Sequence, residues 1–290
     1  MIKNDAAIET RLAELRPKLH RYCARMTGSV IDAEDVVQDV LVRVVVSLPN
    51  APFVDKFESW LFRVAHNASI DFLRRRARSE AARLDEDPDT LGDLERPVDD
   101  PEIVEASLRT FMRLPAAQRS AVILMDVLGY RLHEICGIMQ ASLPAVKSAL
   151  HRGRMRLREL VREPENRQHA ALSENERSLL SAYIDRFNAR DFDAIRDMLA
   201  EEVKLDLVNR ERRDGKRRVA VYFENYASKD DWHFTLGEVD GQPAILVNDP
   251  RNSSGGPRYF VLLEWRSDRL QRIRDFRYAR YAMRDAEIRF

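Results

Sequence analysis

Apolar residues recur every three or four positions through the first half of this chain, and toward every second position near its end. Ile8, Leu12, Leu15, Leu19, Tyr22 and Met26 make one face of a helix, and Gly28 ends it. Ser29 and Asp32 resemble a capping box for the next helix, whose stripe is Val36, Val37, Val40, Leu41, Val44 and Val45. Leu48-Pro49-Asn50-Ala51-Pro52 breaks the period, because two prolines cannot sit inside a helix. A third helix, from about Lys56 to Arg78, packs through Phe57, Trp60, Leu61, Val64, Ala65, Ala68 and Phe72. Ile103 to Leu114 and Ala116 to Leu128 read as two more, the first ended by Pro115 and the second by Gly129.

The clearest pattern runs from Tyr130 to Glu159. Leu132, Ile135, Ile138 and Met139 fall at helical spacing. Gln140-Ala141-Ser142 interrupts the period, Ser142 is an N-cap, and Pro144 sits in the first turn, where its missing N–H costs nothing. The helix that follows buries Val146, Leu150, Gly153, Leu157 and Leu160, while Lys147, Ser148, His151, Arg152, Arg154, Arg156 and Arg158 occupy its other side. Solvated faces usually mix signs; this one carries no acid before Glu159. A short helix, a tight corner and a longer basic helix are the parts of a helix-turn-helix, whose second helix enters the DNA major groove.

After Glu163-Pro164 the texture changes. Ser173 and Glu176 cap a helix holding Leu179, Leu180, Tyr183, Ile184 and Phe187, and a short helix follows from about Asp193 to Ala200. Val203 to Val208 reads as a strand and Val219 to Tyr226 as a short helix. Trp232 to Val239, Ala244 to Val247, Tyr259 to Trp265 and Leu270 to Tyr281 read as strands. Asp240-Gly241 is a hairpin turn between the first two of these four. Helices first and antiparallel strands after predict an α+β domain.

Charge alters this picture locally rather than in total. The formal net charge is zero, yet 33% of residues are charged and come in runs of one sign, so the local field is what matters. The third helix ends in Arg74, Arg75, Arg76 and Arg78, more cations than a helix dipole needs and an arrangement suited to a phosphate backbone. Residues 84 to 105 are acidic and broken by Pro88, Pro97 and Pro101, which predicts a linker. Extended, such a linker spans roughly 70 Å at ~3.3 Å per residue, about two turns of duplex. Cys23 and Cys136 lie on apolar helix faces and are expected to be buried thiols in a reducing compartment. The N-terminus lacks the apolar core of a signal peptide, and no run approaches the roughly 18–20 apolar residues that cross a bilayer, so a cytoplasmic protein without membrane contact is expected.

Two motif groups carry a resemblance. DAEDVVQDVLVRV with FESWLFRVAHNASIDFLRRR resembles region two of the extracytoplasmic-function branch of the bacterial sigma-70 family, and Leu114 to Glu159 resembles its region four. The resemblance implies that the chain binds core RNA polymerase, through the clamp helices of the largest subunit and the flap, and directs it to promoter DNA. Asp32, Glu34, Asp35, Gln38 and Asp39 would dock the polymerase. The Pro49–Lys56 loop and the helix from Phe57 would hold the non-template strand of the minus-ten element, with Arg63, His66, Asn67, Asp71, Arg74 and Arg75 as candidates. Lys147, Ser148, His151 and Arg152 would face the minus-thirty-five element, and Arg154 and Arg158 its phosphates. The acidic linker would thread polymerase channels that normally carry nucleic acid.

Leu179 to Arg210, VAVYFENYA and IRDFRYARYAMRDAE resemble a SnoaL-like domain of the nuclear-transport-factor-two type, a cone of sheet wrapped by helices. The expected organisation is therefore two all-α sigma domains at residues 8–80 and 105–163, an acidic linker at 81–104 between them, and an α+β SnoaL-like domain at 172–290. Asp206, His233, Asp275 and Arg277 are its candidate pocket residues, open to a small ligand. No nucleophile–base pair, metal spacing or phosphate loop is visible. The expectation is a monomeric, non-enzymatic protein without cofactor whose tail regulates it in cis. Two alternatives are a stand-alone helix-turn-helix regulator that senses a ligand, and a DNA-binding head fused to a SnoaL-like enzyme.

Overall fold

The computed structural model describes residues 2–47, 57–80, 106–163, 173–252 and 255–290. The chain divides into two compact units, Met1–Asn166 and Arg167–Phe290. The Pro49–Lys56 loop, the linker expected at 81–104 and Ser253-Ser254 lie outside the described residues.

The first unit is all helical. α1 (Ile2–Thr27), α2 (Val30–Ser47) and α3 (Phe57–Glu80) pack together. Leu19, Tyr22 and Met26 of α1 and Val36, Val37, Val40 and Val44 of α2 are buried. Val45 departs from the expected stripe and is 60% exposed. Ser29 starts α2, its hydroxyl accepting from the N–H groups of Ile31 and Asp32 at 3.1 and 3.4 Å. The inward face of α3 is rolled from the sequence reading: Leu61, Phe62, Ala65, His66, Ala68 and Ser69 are buried, while Phe57, Trp60, Val64 and Phe72 are half-buried. That roll has a cause, because α3 is covered from two directions, by α1 and α2 and by helices of the second half.

The second half has α4 (Leu108–Met112), α5 (Ala116–Val122) continuing into a π-turn at Ile123–Val127, α6 (Leu132–Met139) and α7 (Leu143–Arg162). Gln140 turns the corner after α6 in the left-handed region (φ 52°), and the Ser142 hydroxyl caps α7 by accepting from Ala145 N–H at 3.4 Å. Val146, Leu150, Gly153, Leu157 and Leu160 are all buried, as their spacing predicts. Gly153 has a packing reason: a Cβ there would meet Val122 Cγ2 at 2.7 Å and the Gln118 carbonyl at 3.0 Å, so α7 and α5 touch backbone to backbone.

The two helical halves form one unit, joined by buried polar contacts. The Tyr22 hydroxyl lies 2.9 Å from His66 Nδ1 and 2.8 Å from Ser120 Oγ. The buried Arg119 guanidinium donates to the carbonyls of Met26, Met112 (3.0 Å) and Leu114 (2.8 Å), satisfying groups that the ends of α1 and α4 leave unpaired. Glu58 accepts from Lys18 Nζ and from the Tyr130 hydroxyl, each at 2.7 Å. Burial alone would raise the Glu58 carboxyl; these two donors, with the charges of Lys18 and Arg11, outweigh it and hold the group below its ordinary range. Cys23 is buried, and burial pushes its thiol up to about 12, whereas Cys136 is only half-buried.

The second unit is α+β. α8 (Glu174–Asn188), capped by the Ser173–Glu176 box, and α9 (Phe192–Met198) precede β1 (Leu199–Leu207) and β2 (Glu211–Asp214). α10 (Lys216–Ala227) precedes β3 (His233–Val239), β4 (Gln242–Asn248), β5 (Tyr259–Arg266), β6 (Arg269–Asp275) and β7 (Ile288–Arg289). The sheet order is β2-β1-β6-β5-β4-β3-β7. Every pairing is antiparallel except β1 with β6, which corrects the all-antiparallel expectation. Asp240 and Gly241 turn β3 into β4 with φ of 53° and 76°, the conformation of a two-residue hairpin loop. The segment expected as one strand to Tyr281 leaves the sheet at Asp275 and continues as 3₁₀ turns, with Phe276 stacked on Phe260 at 4.1 Å. The helices and the sheet bury a common core in which Phe187 touches Phe192, Phe223, Tyr226, Trp232 and Phe234.

Candidate nucleic-acid interface

The basic side of α7 is sorted by depth. Lys147, His151, Arg152 and Arg158 are half-buried. Ser148 is buried, which removes its hydroxyl from the expected reading face. Arg154 is buried too: its Nε donates to Asp126 Oδ2 at 2.8 Å and its Nη2 to Asp126 Oδ1, with both side chains under a tenth exposed. Arg154 is therefore an internal fork rather than the expected phosphate contact. Asp126 escaped the sequence reading, although a lone acid inside the apolar run AVILMDVLG is a visible signal that something cationic faces it.

On α3, Asn67, Arg74 and Arg75 are exposed, Arg63 and Asp71 half-buried. His66 is not available to a base. It is buried between Tyr22 and Ser120, and desolvation pushes its imidazole down to about 4, so the ring is neutral at pH 7. Sequence periodicity places it on a DNA face because the covering helices lie some fifty residues away in the chain.

The acidic side of α2 meets the basic end of α3. Asp32 pairs with Arg76 at 3.5 Å, Asp39 with Arg75 at 3.9 Å, and Arg43 with Asp71 at 3.9 Å. Pairs this exposed contribute ~0–1 kcal/mol each, so either partner exchanges readily for a stronger one. Asp35 and Gln38 are half-buried. Glu34 is the exception: its side chain is 2% exposed and paired with Arg16, so it holds α1 to α2 and offers nothing outward.

The four tail residues do not converge. Asp275 is wholly buried on the core side of the sheet, where its Oδ2 accepts from the hydroxyls of Tyr222 (3.0 Å) and Tyr226 (2.8 Å) and its Oδ1 from Arg277 N–H at 2.7 Å. Tyr259 continues the chain, its hydroxyl 3.0 Å from that of Tyr226. Burial raises the Asp275 carboxyl, and the three donors offset only part of that. The Arg277 guanidinium lies over the Tyr226 and Tyr259 rings at 5.3 and 5.8 Å. Asp206 points to the opposite side, since its neighbours Leu205 and Leu207 enter the core and a strand alternates. There it meets Arg212 (3.4 Å), Arg272 (3.7 Å) and Arg274 (3.8 Å). His233 is exposed at the start of β3. Among the described residues no cluster of three metal-ligating side chains occurs, and no helix is long and apolar enough to cross a membrane.

The family matches fall within the first unit. Residues 12–79 match the family described as Sigma-70 region 2, and residues 106–157 match Sigma-70, region 4. The chain is 34% identical over 153 residues to the ECF RNA polymerase sigma factor SigE of Mycolicibacterium smegmatis, an alignment covering 50% of this chain and 57% of that relative. It is 31% identical over 159 residues to the RNA polymerase sigma factor CarQ of Myxococcus xanthus, covering 55% of this chain and 91% of CarQ. Among solved structures, the extracytoplasmic function sigma factor SigJ of Mycobacterium tuberculosis aligns over 92% of this chain and 95% of its own, at 18% identity and a TM-score of 0.35.

Proposed function

Since the chain belongs to the extracytoplasmic-function family of RNA polymerase sigma factors, we propose that it binds core RNA polymerase and directs it to a defined set of promoters. The observation that carries this reading is the capped helix-turn-helix of α6 and α7, with its stripe buried and Lys147, His151, Arg152 and Arg158 outside it, following the α2–α3 pair in the same chain. In this reading Lys147, His151, Arg152 and Arg158 meet the minus-thirty-five element. Arg63, Asn67, Asp71, Arg74 and Arg75 meet the minus-ten strand, and Asp32, Asp35, Gln38 and Asp39 meet the polymerase. Glu34, His66, Ser148 and Arg154 serve the interior.

Two promoter elements about two duplex turns apart lie roughly 70 Å from one another, whereas α7 itself is ~30 Å long. In this reading, engagement of both elements separates the halves that Tyr22, His66 and Ser120 hold together. The tail then acts in cis as a regulatory domain of SnoaL-like type rather than as an enzyme. What supports this is the Asp275 carboxyl, sealed under tyrosines, and the scatter of Asp206 and His233 away from it. Run-off transcription with core polymerase tests the reading. Full-length chain initiates from selected promoters, and a chain ending near residue 170 still binds polymerase with altered output. Strong binding to promoter DNA without polymerase, and no initiation with it, would favour the stand-alone regulator.

A further inference from the structure

The turn that follows α5 is wider than an α-helical one. Leu128 N–H donates to the Ile123 carbonyl at 3.0 Å, five residues back, and the π-turn so formed carries Asp126. Its carboxylate takes both Nε and Nη2 of Arg154, a planar fork in which neither group can rotate without breaking a bond. The residue just before, Gly153, presses α7 against the Gln118 carbonyl and Val122. Two successive residues of α7 thus fix it to one helix, the first by lacking a side chain and the second through a carboxylate. Together they set both the distance of α7 from α5 and its roll about its own axis.

Roll decides which cations face outward. Lys147, His151 and Arg158 lie seven and three residues before and four after Arg154, so all four share one side of the helix. Arg154 stands at the border between that side and the buried stripe. Resting on the sigma-factor reading above, we propose that Asp126 is a specificity-determining positioning residue: it fixes the roll of the reading helix and withholds the Arg154 cation from DNA phosphate. Phosphate contacts add affinity without sequence information, so withholding one raises the ratio of specific to non-specific binding.

The test uses the full chain carrying Asp126→Asn, which keeps the shape of the side chain and removes its charge. Binding to duplex DNA of random sequence is measured by anisotropy against salt. The slope of log affinity on log salt should steepen by about 0.9, the value for one more neutralised phosphate. In holoenzyme, the preference for an intact over a scrambled minus-thirty-five element should fall roughly tenfold. The double variant Asp126→Asn, Arg154→Gln should return the slope to the wild-type value. A pair that merely stabilises the fold would lower helical content and binding together and leave the slope unchanged or shallower. That result, or an unchanged promoter preference in a folded Asp126→Asn chain, overturns the proposal. Should the single variant not fold, Arg154→Lys, which keeps the cation but cannot take the planar two-point pairing with Asp126, carries the test: a wild-type salt slope and promoter preference in it overturn the role equally. Wild-type initiation with core polymerase reads the proposed function itself, while only ratios between variants read Asp126, so the two failures are distinguishable.

Discussion

Acidification should loosen the joint between the helical halves, and His66 sets how much. Its imidazole is neutral and buried, with Nδ1 2.9 Å from the Tyr22 hydroxyl and 3.1 Å from Ser120 Oγ. Desolvation depresses it from 6.5 to about 4. A depressed folded value means that the unfolded chain binds the proton first. The stability owed to His66 is therefore complete above pH 6.5 and declines as pH falls from there toward about 4. With ~1.36 kcal/mol per unit, the decline by pH 4.5 comes to about 2.5 kcal/mol. Carboxylates titrate in the same range, so the measurement is a difference. Urea unfolding of wild type and of His66→Gln, which does not titrate, is followed from about pH 7.5 to 4.5. The wild type should lose about 2.5 kcal/mol more than the variant. A proton NMR titration of the ring gives the same quantity directly. An inflection between 6 and 7, or parallel pH profiles in the two proteins, would refute the buried placement.

Replacing Lys147 and Arg152 together by Ala should weaken minus-thirty-five discrimination by ~1–3 kcal/mol for each base no longer read; unchanged promoter selectivity would count against the placement of α7. Gly153→Ala should lower stability by about 1–3 kcal/mol, because the new Cβ meets Val122 and the Gln118 carbonyl, and an unshifted thermal midpoint would contradict the close approach. In the tail, the raised Asp275 carboxyl means that the folded state holds a proton the unfolded chain has released. Its contribution is thus complete below the ordinary aspartate value and declines as pH rises through the raised one. Tyr222→Phe removes one donor to the carboxylate and should carry that decline to higher pH, read from urea unfolding of the full chain against pH.

Most of the helical frame is legible from spacing alone, because the deciding forces are local. Val146, Leu150, Gly153, Leu157 and Leu160 bury together, Ser142 caps, and Ser173 with Glu176 forms its box. What periodicity misses depends on neighbours distant in the chain. His66, Glu34 and Arg154 look like surface residues until Ser120, Arg16 and Asp126 are placed beside them. The parallel β1–β6 pair joins segments about seventy residues apart and leaves no mark on either strand's alternation. Asp206 and Asp275 are both strand acids; only the register, which pairs Asp206 with Arg274 and Leu207 with Asp275, shows that they belong to opposite faces. The short strands β2 and β7, of four and two residues, are too brief for a period to register.

A sigma factor makes RNA polymerase start at chosen sites. Core RNA polymerase programmed with a randomised promoter library, with and without the purified full-length chain, tests this role directly. Transcripts should appear only when the chain is added and should share upstream sequence at two positions about two helical turns apart. Transcripts with no shared upstream sequence, or none above the core polymerase alone, would contradict it.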